Sequence, residues 1–259
     1  MTNGQSHIGS QKLVDYFGLH TRQGIKFKER MNIQTIVYLD LESTGLKESG
    51  RPRISEISLV AVNTKDFLKS QSYINDVISK KENCDKILPR IMNKLTLCVY
   101  PMAPVLPDVS IITGLDNYNL YGQAKFDINT VELIDSFLRR LPAPVCLVSH
   151  NGDRFDFPLL KAELDKCGGK LEHSLLCADS YIAIRSICQC RHDILPKMSF
   201  SLINLHQRVF GCLPETSHGA EADCLTLLKV TAVLGVEFID WVEDNYYKFR
   251  HCSAMWNMI

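Results

Sequence analysis

Three short stretches of this chain place acids, and one histidine, in spacings that suit metal-assisted chemistry. The first is Asp40 and Glu42, at the end of the apolar run 33–41. On a strand, residues i and i+2 face the same way, so the two carboxylates stand side by side. Burying neighbouring like charges is costly unless a cation joins them, and a hard ion such as Mg²⁺ takes oxygen ligands. Two solvated acids at an exposed strand end would share that spacing. The second stretch is His150-Asn151-Gly152-Asp153-Arg154-Phe155-Asp156-Phe157-Pro158, where an apolar run empties into a polar turn before a helix begins near Pro158. Asp153 and Asp156 both suit a metal, and both suit a helix N-terminus. The third is Ser217-His218-Gly219-Ala220-Glu221-Ala222-Asp223. Asp223 falls in the first turn of an apolar helix, and His218 precedes it in a Gly-containing loop. A histidine that titrates near neutrality can take a proton from water at a metal. Two acids on a strand, two at helix starts and a loop histidine are together the parts for two-metal phosphodiester hydrolysis. One ion activates the water and the other stabilises the leaving 3′ oxygen.

The elements that must hold these residues follow from periodicity. Runs 33–41, 54–62 and 95–100 read as strands; 144–149 is continuously apolar, as in a strand covered on both faces, and 175–178 is a shorter candidate. Helical spacing predicts helices over 130–140, 158–167, 180–187, 202–210, 220–233 and 238–249. The lysine-rich stretch 63–94 reads as a loop with partial helix. Strands first and strand–helix units later imply a mixed sheet flanked by helices, hence an α/β fold.

Composition bounds the partners. The chain has 259 residues, 46% of them hydrophobic, enough for a sizeable core. Lys+Arg and Asp+Glu both number 29, so bulk charge selects no partner and nucleic-acid affinity must come from a local patch. No apolar run reaches membrane-spanning length. The opening MTNGQSHIGSQ lacks the apolar segment of a secretory leader. The scattered cysteines fit a reducing compartment, and the Cys188-Gln-Cys190-Arg191-His192 spacing is poor for structural zinc. The expectation is a soluble protein of the cytoplasm, the nucleus or both.

The three stretches closely resemble the motifs of the three-prime repair exonuclease (TREX) family, in the DEDDh branch of the DnaQ-like 3′→5′ exonucleases. The likeness lies in Val-Tyr-Leu-Asp40-Leu-Glu42-Ser-Thr44-Gly45-Leu46, in Leu-Val-Ser-His150-Asn-Gly-Asp-Arg-Phe155-Asp156-Phe-Pro-Leu-Leu, and in Ser-His218-Gly-Ala-Glu-Ala-Asp223. Lys94-Leu-Thr-Leu-Cys-Val, Ile112-Thr-Gly-Leu115, Phe137-Leu-Arg-Arg-Leu-Pro and Ser199-Phe200-Ser201-Leu202 extend it.

This resemblance implies a ribonuclease H-like fold with a mixed five-stranded sheet. It divides the chain into a polar, mildly basic arm (1–33), an exonuclease domain (34–250) and a short tail (251–259). It selects Asp156 over Asp153, making Asp40, Glu42, Asp156 and Asp223 ligands of two Mg²⁺ ions, with Asp40 bridging them and Mn²⁺ as a substitute. His218 becomes the general base. More loosely, Leu46 resembles a wedge beside the terminal base, Thr44 and Gly45 bring backbone near the 3′ end, and Ile112 and Phe155 contact terminal bases. Arg185, Arg191 and Lys197 fall where relatives carry a basic DNA-contacting loop.

The implied activity is 3′→5′ DNA exonuclease action, releasing 5′-mononucleotides from single strands and from frayed or mismatched 3′ ends. A terminal base must leave its stack to enter the pocket, and pairing raises that cost. The alternatives are an exoribonuclease of the same superfamily and a non-catalytic nucleic-acid-binding module. The resemblance also implies a homodimer, with 95–100 as the edge strand, and no membrane partner. Two departures stand out. The region before the third strand is lysine-rich where one relative carries a proline-rich insert, and that relative's long membrane-anchored extension has no counterpart up to Ile259.

Overall fold

The computed structural model describes residues 32–80, 88–191, 199–215 and 218–256. Its centre is a mixed sheet in the order β3-β2-β1-β4-β5-β6. The strands are β1 (Thr35–Ser43), β2 (Ile54–Asn63), β3 (Ile91–Cys98), β4 (Val145–Ser149), β5 (Leu176–Asp179) and β6 (Tyr247–Lys248). β1, β4 and β5 run parallel. β2 is antiparallel to β1 and β3, and β6 to β5. The parallel strands are mostly apolar up to their C-terminal ends because both faces are covered there. The helices are α1 (Thr64–Lys80), α2 (Pro107–Thr113), α3 (Ile128–Arg139), α4 (Asp156–Cys167), α5 (Ser180–Arg191), α6 (Leu202–Phe210), α7 (Ala220–Leu234) and α8 (Val236–Asn245).

Strand alternation divides the core in two. Ile36 and Tyr38 of β1 pack with Val60 and Val62 of β2 against Cys224, Leu227 and Leu228 of α7. Tyr38 Oη meets Thr231 Oγ1 at 2.7 Å, fixing α7 along this face. On the other face, Val37, Leu39 and Leu41 pack with Val131 and Ile134 of α3 and with Phe157, Leu159 and Leu160 of α4. Glu163 of α4 is buried, but Arg53 grips it through Nε at 2.5 Å and Nη2 at 2.8 Å, and the Ile54 N–H adds a third donor at 3.3 Å. That pair ties α4 to the start of β2.

Several boundaries differ from the periodicity reading. The stretch after β2 is not mainly loop: α1 occupies Thr64–Lys80, with Phe67, Ile74 and Val77 buried at helical spacing among its lysines. The third strand is Ile91–Cys98 rather than 95–100, because its register continues on β2 from Glu56↔Cys98 back to Val62↔Ile91. The last helix stops at Asn245. Tyr247–Lys248 then adds a sixth strand beside β5 to the expected five. α2 is a further helix that periodicity did not reveal, since none of its residues is buried.

Residues 1–31 of the arm lie outside the described residues, while Ile33 is buried in the core and its N–H donates to Glu243 at 2.5 Å. Toward the other end, the Met255 N–H donates to the Pro158 carbonyl at 2.8 Å. No helix among the described residues is long and apolar enough to cross a membrane.

Candidate active site

The C-terminal ends of parallel strands are where open α/β sheets hold ligands, and the motif residues gather there. Asp40 and Glu42 follow Ile36 and Tyr38 on the β1 face that α7 covers. The packing that seats Cys224 with its thiol 3.4 Å from the Tyr38 carbonyl brings the preceding residue, Asp223, over the strand end. As a result, ligand oxygens of Asp40, Glu42 and Asp223 lie within 4.8 Å of one another. All three residues are half-buried.

Asp156 arrives from the next strand. β4 ends at Ser149, a turn follows, and Asp156 opens α4. Its carboxylate accepts from the Leu41 N–H at 3.1 Å and from Ser149 Oγ at 2.8 Å. The turn is tight: a Cβ at Gly152 would lie 2.7 Å from Ser149 Cβ and 2.8 Å from the Phe157 ring, so only glycine fits. Asn151 beside it adopts a left-handed φ of 64°.

Electrostatics set these acids apart. Asp40 is held well above the usual carboxylate range, first by burial and then by the charges of Asp156, Asp223, Glu42 and Glu56. Glu42 is pushed up from 4.5 to about 7 by burial, then by Asp223, Glu56 and Asp156. Burial raises Asp156 from 3.8 to about 7 against the lowering effect of its hydrogen bonds. Asp223 is raised by burial, opposed by His218. Among the described residues, no lysine or arginine forms an ion pair with Asp40, Glu42 or Asp223. An all-oxygen donor set whose members repel one another fits a hard divalent cation, which would relieve that repulsion.

The two motif histidines differ sharply. Both ring nitrogens of His150 are engaged, Nδ1 with Ser180 Oγ at 3.1 Å and Nε2 with the Phe200 carbonyl at 2.8 Å. His218 is exposed, with a left-handed φ of 63° unusual for a non-glycine residue. It lies just ahead of α7, and its backbone N–H bonds the Asp223 carboxylate.

The remaining site candidates are more dispersed. Thr44 is buried: its N–H donates to the Arg53 carbonyl at 2.9 Å, and its carbonyl accepts from the Leu106 N–H at 3.0 Å. The Gly45 carbonyl accepts from Ser43 Oγ at 2.7 Å. Leu46 and Ile112 are exposed. Phe155 is half-buried at the N-cap of α4. Arg185 is exposed on α5 and lines a cavity of about 280 Å³ with Arg154 and Asn151. Arg191 ends α5, and Lys197 lies outside the described residues.

Sequence reasoning missed two supporting acids. Glu56 sits opposite Glu42 in the β1–β2 register, and its Oε2 accepts from the Ala220 N–H at 2.8 Å. It therefore anchors the first turn of α7, between His218 and Asp223. Asp179 at the end of β5 accepts from the N–H groups of Asn151 at 3.0 Å, Asp153 at 3.1 Å and Tyr181 at 2.8 Å. It holds the turn that leads to Asp156. Asp153 itself receives the Tyr247 hydroxyl at 2.5 Å. No short-range pattern signals either anchor.

Comparison with solved structures identifies the class of fold. The chain superposes on E. coli exonuclease I bound to zinc and single-stranded DNA with a TM-score of 0.60 at 15% identity, covering 81% of this chain and 43% of that one. This chain thus spans less than half the length of exonuclease I, and the shared architecture is ribonuclease H-like. No family model matches the chain. Its sequence is 37% identical over 234 residues to three-prime repair exonuclease 1 of Bos taurus, covering 86% of this chain and 71% of that protein. It is 35% identical over 233 residues to three prime repair exonuclease 2 of Homo sapiens, covering 88% and 95%. The chain belongs to the three-prime repair exonuclease family.

Proposed function

We propose that this protein is a metal-dependent 3′→5′ DNA exonuclease that releases 5′-mononucleotides from single strands and from frayed or mismatched 3′ ends. The observation that carries this reading is the cluster of Asp40, Glu42 and Asp223, close together and without a paired lysine or arginine among the described residues, in a chain of this family. The fold it shares with exonuclease I, a protein solved with single-stranded DNA, supports the same substrate.

In this reading Asp40, Glu42, Asp156 and Asp223 hold two Mg²⁺ ions, with Mn²⁺ accepted by the same donors. When bound, these ions supply a polarised phosphate, a more acidic water and charge relief at the leaving 3′ oxygen. His218 takes the proton from the attacking water, and its exposed position lets it pass that proton to solvent. Asp156 accepts hydrogen bonds from the Leu41 N–H, from Ser149 Oγ and from its own backbone N–H, which leaves acceptor capacity on its carboxylate for a metal. Leu46, Ile112 and Phe155 contact the terminal bases, while Thr44 and Gly45 present backbone to the 3′ end. Arg185, Arg191 and Lys197 steer the phosphate backbone. The working unit is the domain 34–250 between the arm 1–33 and the tail 251–259. It pairs as a homodimer through β3 and acts in the cytoplasm or nucleus.

Digestion of 5′-labelled and 3′-labelled DNA and RNA oligomers, with Mg²⁺ or with chelator, tests this. The expected result is a descending ladder from 5′-labelled DNA, immediate release of labelled mononucleotide from 3′-labelled DNA, and no product under chelation. Faster digestion of RNA would make the enzyme an exoribonuclease. Binding without cleavage would leave a nucleic-acid-binding module.

A further inference from the structure

The segment that follows β3 exposes large apolar side chains beside the first motif. Ile111 is 82% exposed, Tyr118 91% and Tyr121 76%, with Leu46, Leu106 and Ile112 also exposed. Such a concentration marks a binding surface more often than chance.

This surface is built rather than frayed. Asp116 Oδ1 accepts from the N–H groups of Tyr118 at 2.8 Å and Asn119 at 2.7 Å, and Asn119 Oδ1 accepts from the Asp116 N–H at 2.9 Å. Asn119 Nδ2 donates to the Gly114 carbonyl at 2.8 Å. The Tyr121 ring stands edge-on to Tyr100 at 6.0 Å. Asn117, Tyr118, Asn119 and Tyr121 line an open depression of about 730 Å³. The depression is also tied to the first motif. Asn117 Oδ1 accepts from the Val105 N–H at 2.9 Å, and the next residue, Leu106, donates its N–H to the Thr44 carbonyl.

We propose that Tyr118 and Tyr121 form a stacking platform for bases of single-stranded DNA lying 5′ of the terminal nucleotides. The inference rests on the exonuclease reading, which places terminal bases at Leu46 and Ile112; Ile112 lies in α2 of this same segment, and the Leu106–Thr44 bond joins the segment to the first motif. Exposed aromatic faces stack any base without selecting sequence, as an exonuclease that must accept every 3′ end requires.

The test compares the wild type with Tyr118→Ala, Tyr121→Ala, the double alanine variant and the two phenylalanine variants. Affinity for a deoxythymidine dodecamer is read by fluorescence anisotropy, with Ca²⁺ replacing Mg²⁺ to suppress turnover. Hydrolysis of a trinucleotide is read with Mg²⁺. Each alanine variant is expected to bind the dodecamer about tenfold more weakly. Trinucleotide hydrolysis stays at the wild-type rate, and the phenylalanine variants match the wild type. Unchanged dodecamer affinity in the double alanine variant would overturn the platform. So would an equal loss on the trinucleotide, which would place the two tyrosines at the terminal nucleotides, or a loss of self-association with DNA affinity intact, which would assign the patch to a second copy. A wild type that degrades no DNA would instead overturn the exonuclease reading.

Discussion

Two groups of inward-facing acids in this fold are treated in opposite ways. Glu163 is answered by both arms of Arg53 and by a backbone N–H, and Asp179 by backbone N–H groups of the second-motif turn and of α5. Asp40, Glu42 and Asp223 face one another with no lysine or arginine paired to them among the described residues, Asp223 taking only the His218 N–H, and burial together with mutual repulsion pushes Asp40 and Glu42 above their ordinary range. A buried charge answered from within the chain is structural. One left unanswered is stable only when something from outside completes it. Asp156 stands between the groups, hydrogen-bonded to Leu41 and Ser149 yet beside Asp40.

The contrast breaks most visibly at the cluster. Asp223→Asn should reduce DNA turnover to the level of the chelated enzyme while leaving the fold intact, as judged by thermal unfolding without metal. Turnover near wild type would remove Asp223 from the metal set. His218→Ala should lower turnover by about 10²–10⁴-fold, the usual contribution of a general base, with little change in DNA affinity. Binding that collapses in parallel would make His218 a structural residue.

At the answered acids the effect should fall on stability instead. Arg53→Ala leaves Glu163 buried and unpaired, which costs about 3–5 kcal/mol, measurable by urea unfolding, with activity per folded molecule retained. Adding Glu163→Gln should recover part of that loss, because the uncompensated charge is gone.

The smallest effect is a pH dependence. In metal-free protein Glu42 binds its proton more tightly folded than unfolded, with its pKa raised from 4.5 to about 7. Its contribution is therefore fully present below 4.5 and is lost as pH rises through about 7. Mg²⁺ binds the ionised form and offsets that loss, so stabilisation by Mg²⁺ should grow across this window. A thermal midpoint shifted equally by Mg²⁺ on both sides of the window would contradict the assignment.

Much of the cluster was legible in the sequence because its signals are local. Asp40 and Glu42 share one strand, and Asp223 sits one helical turn into an apolar run. The answered acids were not legible. Arg53 and Glu163 lie 110 residues apart, and Glu56 reaches Ala220 across 164. Only the strand order and the packing of α4 and α7 bring those partners together. The same limit explains β6, whose two residues carry no periodicity and pair only because α8 returns the chain to the sheet edge. α1 was obscured for another reason: its lysines dilute an apolar stripe that is plain once Phe67, Ile74 and Val77 are seen on one face. Tyr118 and Tyr121 gave no signal because they are not core residues, and sequence patterns report chiefly what is buried.

Calorimetric titration of Mn²⁺ into the wild type and into Asp40→Asn probes the unanswered acids most directly. Binding at neutral pH in the wild type, abolished in Asp40→Asn while Arg53→Ala retains it, is the expected result. Equal Mn²⁺ affinity in the wild type and Asp40→Asn would show that the cluster is not where the metal goes.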